Sequence, residues 1–333
     1  MILRPARLAA VATVLTAALA AAPAWAHHGS AAVSAIGAEG PGAALETTSP
    51  LPLGEGTVFA LVKTEYARFD RRQGFADPKT FSSFNTVAAG FGVRPWLSAF
   101  VFQPYSWKSQ DGLGTNSGLG DTNLMLAASL KWDGGLRLVP EKESLDDLAD
   151  WHFGLWASCT LPVGATDHRD AAGASYAPDM QTGFRGPSPA AGLTLLKQLS
   201  TALTALGELS AQRFFEQRYA EAGYRYRFGG EARVNSALVY RVWASAASRV
   251  DLVPELTLLS LRRDTRDGAP LQASGGTVLY GQLGARLTLG SLSVGAGVKR
   301  AVARSLNEAA AQQGSEGLEV FRASLTLGWS TRL

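Results

Sequence analysis

Four histidines and one cysteine are the residues of this 333-residue chain best suited to metal or covalent chemistry, and their spacing withholds it. His27 and His28 stand side by side, where an α-amine and two imidazoles could chelate copper or zinc. His152 and His168 add no ligand spacing, so the expectation is an exposed polar terminus with no metal and no cofactor. Cys159 has no second cysteine to pair with and reads as a small apolar residue of a strand. A hydrolase would need a nucleophile, a base and a group that orients the base. His152 and Ser158 share a strand face but lie six residues apart, ~20 Å at strand rise. No Gly-x-Ser-x-Gly elbow occurs either, so no enzyme is expected. Gly112, Gly114, Gly118 and Gly120 look like a phosphate cradle, yet neither a βαβ unit nor a following Gly-Lys-Ser/Thr frames them.

Charge is the chemistry that remains, and its meaning depends on the elements that carry it. Residues 1–26 have the form of an export signal: Arg4 and Arg7, an apolar run from Leu8 to Ala22, and Ala24-Trp25-Ala26 as a cleavage site. Removing it takes away two arginines and lowers the formal net charge from +3 to +1. A near-neutral exported chain has no electrostatic footprint for nucleic acid. With 46% hydrophobic and 18% charged residues the chain is too apolar for disorder. Beyond the signal no run of apolar residues is long enough for a membrane helix, so any crossing must be made by strands.

Period-two alternation runs through the mature chain. Leu124, Leu126, Ala128, Leu130 and Trp132 oppose Asn123, Met125, Ser129 and Lys131. Phe153, Leu155, Ala157, Cys159 and Leu161 oppose His152, Trp156, Ser158 and Thr160. Tyr224, Tyr226 and Phe228 oppose Arg225 and Arg227, and Ala232, Val234, Leu238, Tyr240 and Val242 oppose Glu231, Arg233, Asn235 and Arg241. Segments of roughly ten to fourteen residues exceed the usual strand of a soluble sandwich and match tilted transmembrane strands. Trp96, Trp132, Trp151, Tyr240 and Trp329 near segment ends suit an interfacial girdle.

Thirteen strand-like segments begin near Thr57, Phe81, Trp96, Leu119, Trp151, Ala190, Thr201, Tyr219, Ala232, Asp251, Thr277, Leu292 and Leu318. Single-chain barrels use even numbers, so one segment is surplus and about twelve strands are expected. Ala190–Ala211 alternates least cleanly. Gly290-Ser291 makes a two-residue type II′ turn that pairs Leu289 with Leu292, and Gly229-Gly230-Glu231 makes a three-residue turn that sets Arg227 opposite Arg233. Ser109–Gly118 and Thr166–Pro189 read as extracellular loops, and Asp133–Asp150 as a long connection of undetermined side with a short helix over Glu141–Ala149.

The expectation is therefore an all-β chain: an export signal over 1–26, a periplasmic or lumenal segment over 27–55, and a monomeric transmembrane antiparallel β-barrel over 56–333. Its partners are outer-membrane lipid, the barrel-assembly machinery and a small-molecule solute. Inward charges, among them Lys63, Glu65, Asp121, Glu208, Asp251, Glu255, Arg286 and Arg322, are read mostly as ion pairs bracing the interior. Arg225, Arg227, Arg233, Arg241 and Glu221 are read as a selectivity lining, with the opposed Arg227 and Arg233 as an anion-attracting constriction.

Gly118-Leu119-Gly120-Asp121-Thr122-Asn123, Thr160-Leu161-Pro162-Val163-Gly164 and Ser274-Gly275-Gly276-Thr277-Val278-Leu279-Tyr280 together resemble the outer-membrane transporter-like proteins of the phenol-degradation (meta-pathway) family. The resemblance spans roughly Thr57 to Leu333 and implies a barrel that admits small, often aromatic or apolar molecules. It brings no catalytic residue. Such barrels often end in an aromatic residue that the assembly machinery reads, whereas this chain ends Trp329-Ser330-Thr331-Arg332-Leu333. A closed structural or adhesive barrel that binds a partner through its loops is the alternative.

Overall fold

The structure, a computed structural model, describes residues 43–69, 79–140, 149–219, 223–245, 247–308, 311–312 and 316–333. Glu221 and the sequence-predicted export signal lie outside them, as does nearly all of the expected helix over Glu141–Ala149.

In chain order the strands are β1 (Thr57–Phe69), β2 (Lys79–Arg94), β3 (Leu97–Gln110), β4 (Gly114–Leu119), β5 (Thr122–Trp132), β6 (Leu136–Leu138), β7 (Trp151–Leu161), β8 (Ser188–Gln198), β9 (Leu203–Gln212), β10 (Gln217–Tyr219), β11 (Tyr224–Arg227), β12 (Glu231–Ala244), β13 (Ser248–Leu261), β14 (Thr265–Arg266), β15 (Ala269–Pro270), β16 (Gly276–Leu289), β17 (Leu292–Leu306) and β18 (Glu319–Arg332). Twelve of them, β1, β2, β3, β5, β7, β8, β9, β12, β13, β16, β17 and β18, pair antiparallel in a ring. The ring closes where β1 runs against β18 from Thr57↔Arg332 to Phe69↔Glu319. Closure leaves no wall strand with an open edge, which is what a sheet in hydrocarbon requires.

The outward parity is the apolar one. Leu124, Leu126, Leu155, Leu193, Leu209, Leu238, Leu256, Leu283 and Leu325 are all exposed, as a lipid-facing band demands. Trp132, Trp151, Tyr240 and Trp243 are exposed at the short-turn end of their strands. That end carries the 290–291 turn, where Leu289 pairs with Leu292 as expected and Gly290 has φ +58°. Long connections over 162–187, 213–230, 262–275 and 307–318 gather at the opposite end, which by the rule of short periplasmic turns is extracellular. The connection from Asp133 to Asp150 falls at the short-turn end and includes β6, paired to β5.

Three expectations are corrected. The surplus segment is the one near Tyr219–Phe228: β10 and β11 belong to a separate four-stranded sheet with β14 and β15. Its alternation is real, but Tyr226 and Phe228 bury against Phe214, Tyr219, Phe184 and Leu271 in an aromatic loop core and not against lipid. Gly229-Gly230-Glu231 is consequently no hairpin, because β12 pairs with β9 and β13. Ser109–Gly118 is not one loop either, since β3 runs to Gln110 and β4 folds back on it.

The poorly alternating Ala190–Ala211 stretch forms two full wall strands, β8 and β9. Their inward Leu196 and Leu206 are 1% and 5% exposed because they pack on Ala44 and Leu45 inside the barrel. With apolar partners on both faces the two-period contrast disappears.

Candidate functional site: a lumen with two unlike walls

The inward parity divides by arc. On β1, β2, β3, β5, β7 and β8 it presents Phe59, Leu61, Ala88, Phe100, Phe102, Met125, Trp156 and Ala190, a buried cluster that Leu53 joins. Phe100 stacks on Phe102 with centroids 6.1 Å apart, and Phe59 meets Phe100 edge-on at 6.4 Å, both arrangements the ring quadrupole favours. Trp156 lies flat against the backbone of Gly192, where an added Cβ would sit 2.4 Å from the indole. The indole Nε1 has no hydrogen-bond partner among the described residues.

The other arc, β9 with β12, β13, β16, β17 and β18, carries most of the ion pairs beside inward Leu206, Val239, Val253, Leu259 and Val278, and Lys63 and Glu65 of neighbouring β1 extend it. Arg233 meets Glu231 at 2.8 Å, Arg249 meets Asp251 at 2.6 Å and Lys63 lies 3.5 Å from Glu65. Arg322 bridges Glu319 and Glu316, the second donated by the 307–318 loop, and the Tyr280 hydroxyl donates to Glu316 Oε2 at 2.8 Å. Charges so buried persist because they are paired and hydrogen-bonded. This is the expected bracing.

Residues 43–53 run between the two walls. The successive backbone N–H groups of Leu45, Glu46 and Thr47 donate to the Glu255 carboxylate at 2.7–3.2 Å, and the Thr47 hydroxyl is a fourth donor at 2.7 Å. Three consecutive amides around one anion form a nest, built here around a wall side chain. Thr48 N donates to Glu208 Oε2 at 2.9 Å, Lys299 reaches Glu46 Oε2 at 2.5 Å, and Leu53 N donates to Ser98 Oγ at 2.9 Å. Three wall glycines make room. A Cβ at Gly284, Gly295 or Gly297 would come within 2.2, 2.8 or 2.9 Å of a Leu45 methyl. The segment thus crosses from the charged wall, where its backbone is held, to the aromatic wall, where Pro50 and Leu53 pack.

At the extracellular mouth the 162–187 connection is pinned from beneath. Asp121 accepts from Gly164 N and Phe184 N, each at 2.7 Å, and Asn116 Nδ2 donates to the Met180 carbonyl at 2.7 Å. Lys108 Nζ donates to the carbonyls of Asp179 and Gln181.

The residues expected to line the lumen fare unequally. Arg233 and Arg241 do sit on the inward parity of β12, Arg233 paired with Glu231 and Arg241 opposite Asp251. Arg225 and Arg227 do not: both are exposed on β11, outside the barrel wall. Arg227 faces Thr265 and Arg233 faces Leu259 and Ser210, so the proposed Arg227–Arg233 constriction does not exist. A genuine cross-strand arginine pair occurs elsewhere, Arg218 opposite Arg225. Sequence reasoning missed Glu46 and Glu316, which reach the lumen from segments without alternation. It also missed Lys299, whose inward parity follows directly from Leu292, Val294, Ala296 and Val298.

A closed twelve-stranded barrel with an apolar exterior and a polar, partly aromatic interior has the fold of bacterial outer-membrane channels and porins. No protein-family description and no curated protein matches the chain. Among solved structures it is similar to the COG4313 outer membrane channel from Pseudomonas putida F1, with a TM-score of 0.65 and 14% identity over 88% of this chain and 100% of that one. The NanC porin matches with a TM-score of 0.43 and 9% identity over 82% of this chain and 100% of that one. The beta domain of the Bordetella autotransporter BrkA matches with a TM-score of 0.43 and 12% identity over 83% and 100%.

Proposed function

We propose that the chain is a passive outer-membrane channel for small molecules that carry an aromatic or apolar body. The observation behind this reading is the unlike pair of walls: an inward surface of Phe59, Phe100, Phe102, Met125 and Trp156 faces a wall of paired charges across a single extended segment. A lumen serving only as packed core would have no use for the charged wall, and one serving only small ions would have no use for the rings. The orphaned Trp156 Nε1 suits a ring bearing a hydrogen-bond acceptor. The motif-level resemblance to the phenol-degradation family points to the same solute class, and the chain similar in fold is itself described as a channel.

Residues 43–53 act as the constriction. They are held by side-chain bonds and not by strand pairing, so the lumen widens when those bonds are released. Liposomes containing the protein should swell faster in small aromatic acids than in sugars of equal size. Equal rates would overturn the solute class. No swelling and no conductance would leave the closed barrel that binds through its loops.

A further inference from the structure

The lipid-facing parity ends differently at the two rims. At the short-turn rim it ends in Trp132, Trp151 and Trp243. At the other rim, Leu209 and Ala211 of β9 are followed by Arg213, and Leu256, Leu258 and Ser260 of β13 are followed by Arg262. Both arginines are exposed and directly follow the strands that flank β12, roughly two strand spacings or ~10 Å apart.

Above them the β10–β11 pair places Arg218 directly opposite Arg225, with Arg227 on the same face two residues on. The opposite face of that small sheet carries Tyr219, Tyr224 and Tyr226. It packs against Phe184, and Arg185 of the same connection lies over the Tyr219 ring at 5.1 Å. That packing leaves the arginine face of the small sheet turned away from the 162–187 connection.

Opposed like charges destabilise a sheet unless an anion lies between them. Glu216, 3.4 Å from Arg225, is the one carboxylate that pairs with this group among the described residues. Arg218, Arg227 and Arg262 have no ion-pair partner there, and Arg213 only lies over the Phe215 ring at 5.4 Å. Of the described acids nearby, Asp264 accepts from the Tyr226 hydroxyl and Gly229 N, and Asp267 accepts from the backbone N–H of Arg225.

We propose that Arg213, Arg218, Arg225, Arg227 and Arg262 form a docking surface for the phosphate groups of a phosphorylated glycolipid in the surrounding outer leaflet. The commitment to a lipid rests on place. Two of the arginines are the first residues beyond the apolar band, where headgroup phosphates lie and where a long stem can follow acyl chains while its guanidinium reaches up. The planar fork matches phosphate bidentately, which explains arginine at all five positions and no lysine. The surface serves whatever crosses the lumen, so it stands independently of the transport reading.

Native mass spectrometry of the full-length protein in detergent, titrated with bis-phosphorylated lipid A, tests the proposal. Bound lipid is expected on the unaltered protein. Its affinity should fall about tenfold or more when all five arginines become alanine, reflecting lost charge-assisted pairs. It should fall much less when all five become lysine. Equal binding by the alanine set, or equal binding of fully dephosphorylated lipid A, would overturn it. Inorganic phosphate binding as tightly as the lipid would assign the surface to a dissolved anion and overturn the lipid. All five side chains are exposed, so heat-modifiable migration of the barrel should be unchanged. The pair Arg218→Ala with Arg227→Ala, expected to give a partial loss, keeps the test decisive if the fivefold variant folds poorly.

Discussion

The two arcs of this barrel share one exterior and have opposite interiors. From β1 to β8 the inward surface holds the aromatic cluster, with buried lysines toward its ends; from β9 to β18 it holds most of the ion pairs, with Val239, Val253 and Leu259 among them. Alternation in a barrel reports two environments without saying what either is. The outward parity is apolar along the band, while the inward parity is polar or apolar according to what rests on it. Residues 43–53 use both arcs, their amides on Glu255 and Glu208 and their apolar side chains on the glycine cradle and the Phe100 surface.

Breaking the charged arc should have the largest effect. Arg322→Ala strands Glu316 and Glu319 beside Tyr280, and removing one member of a buried ion network costs ~3–5 kcal/mol. Thermal unfolding in detergent should move down accordingly, whereas Arg322→Lys should recover part of the loss.

The aromatic arc should respond more mildly in stability and more sharply in selectivity. Trp156→Ala also removes a buried N–H that has no partner among the described residues, so its cost should fall below the ~3–5 kcal/mol of a truncated core aromatic. The preference for aromatic solutes over sugars in liposome swelling should shrink toward one. An unchanged preference would detach the rings from transport.

Gly284→Val probes the segment between the arcs. Its Cβ would meet both Leu45 Cδ1 at 2.2 Å and the Ala296 carbonyl at 2.4 Å, and overpacking of this kind costs ~1–3 kcal/mol. Expulsion of the segment should appear as protease cleavage between residues 43 and 53. Protection equal to that of the unaltered chain would argue against a filled cradle.

The smallest effect belongs to Arg225→Ala with Arg227→Ala, which should leave conductance and ion selectivity unchanged because neither residue faces the lumen. The neighbouring Tyr226 should stay protonated throughout, since burial and then the Asp264 carboxylate push its phenol well above the ordinary range.

These outcomes mark where the sequence was legible. Gly290-Ser291 was readable because a two-residue hairpin constrains turn chemistry and strand parity at once, and Leu289 duly pairs with Leu292. Arg233 and Arg241 were readable because β12 contrasts leucine and valine with charge along its length. Arg225 and Arg227 alternated as cleanly, yet their aromatic neighbours bury against other loops, and nothing local distinguishes that burial from lipid. Leu196 and Leu206 were obscured for the converse reason: their partner, Leu45, lies some 150 residues away in the chain, in a segment without period.

On the proposed reading, residues 43–53 narrow a passage between unlike walls. Single-channel recording in planar bilayers, comparing the unaltered protein with the Glu255→Gln, Glu208→Gln variant and with a chain lacking residues 43–50, tests it most directly. A severalfold rise in conductance for the deletion, with an intermediate or flickering rise for the double variant, is the predicted result. Identical conductance in all three would contradict the account.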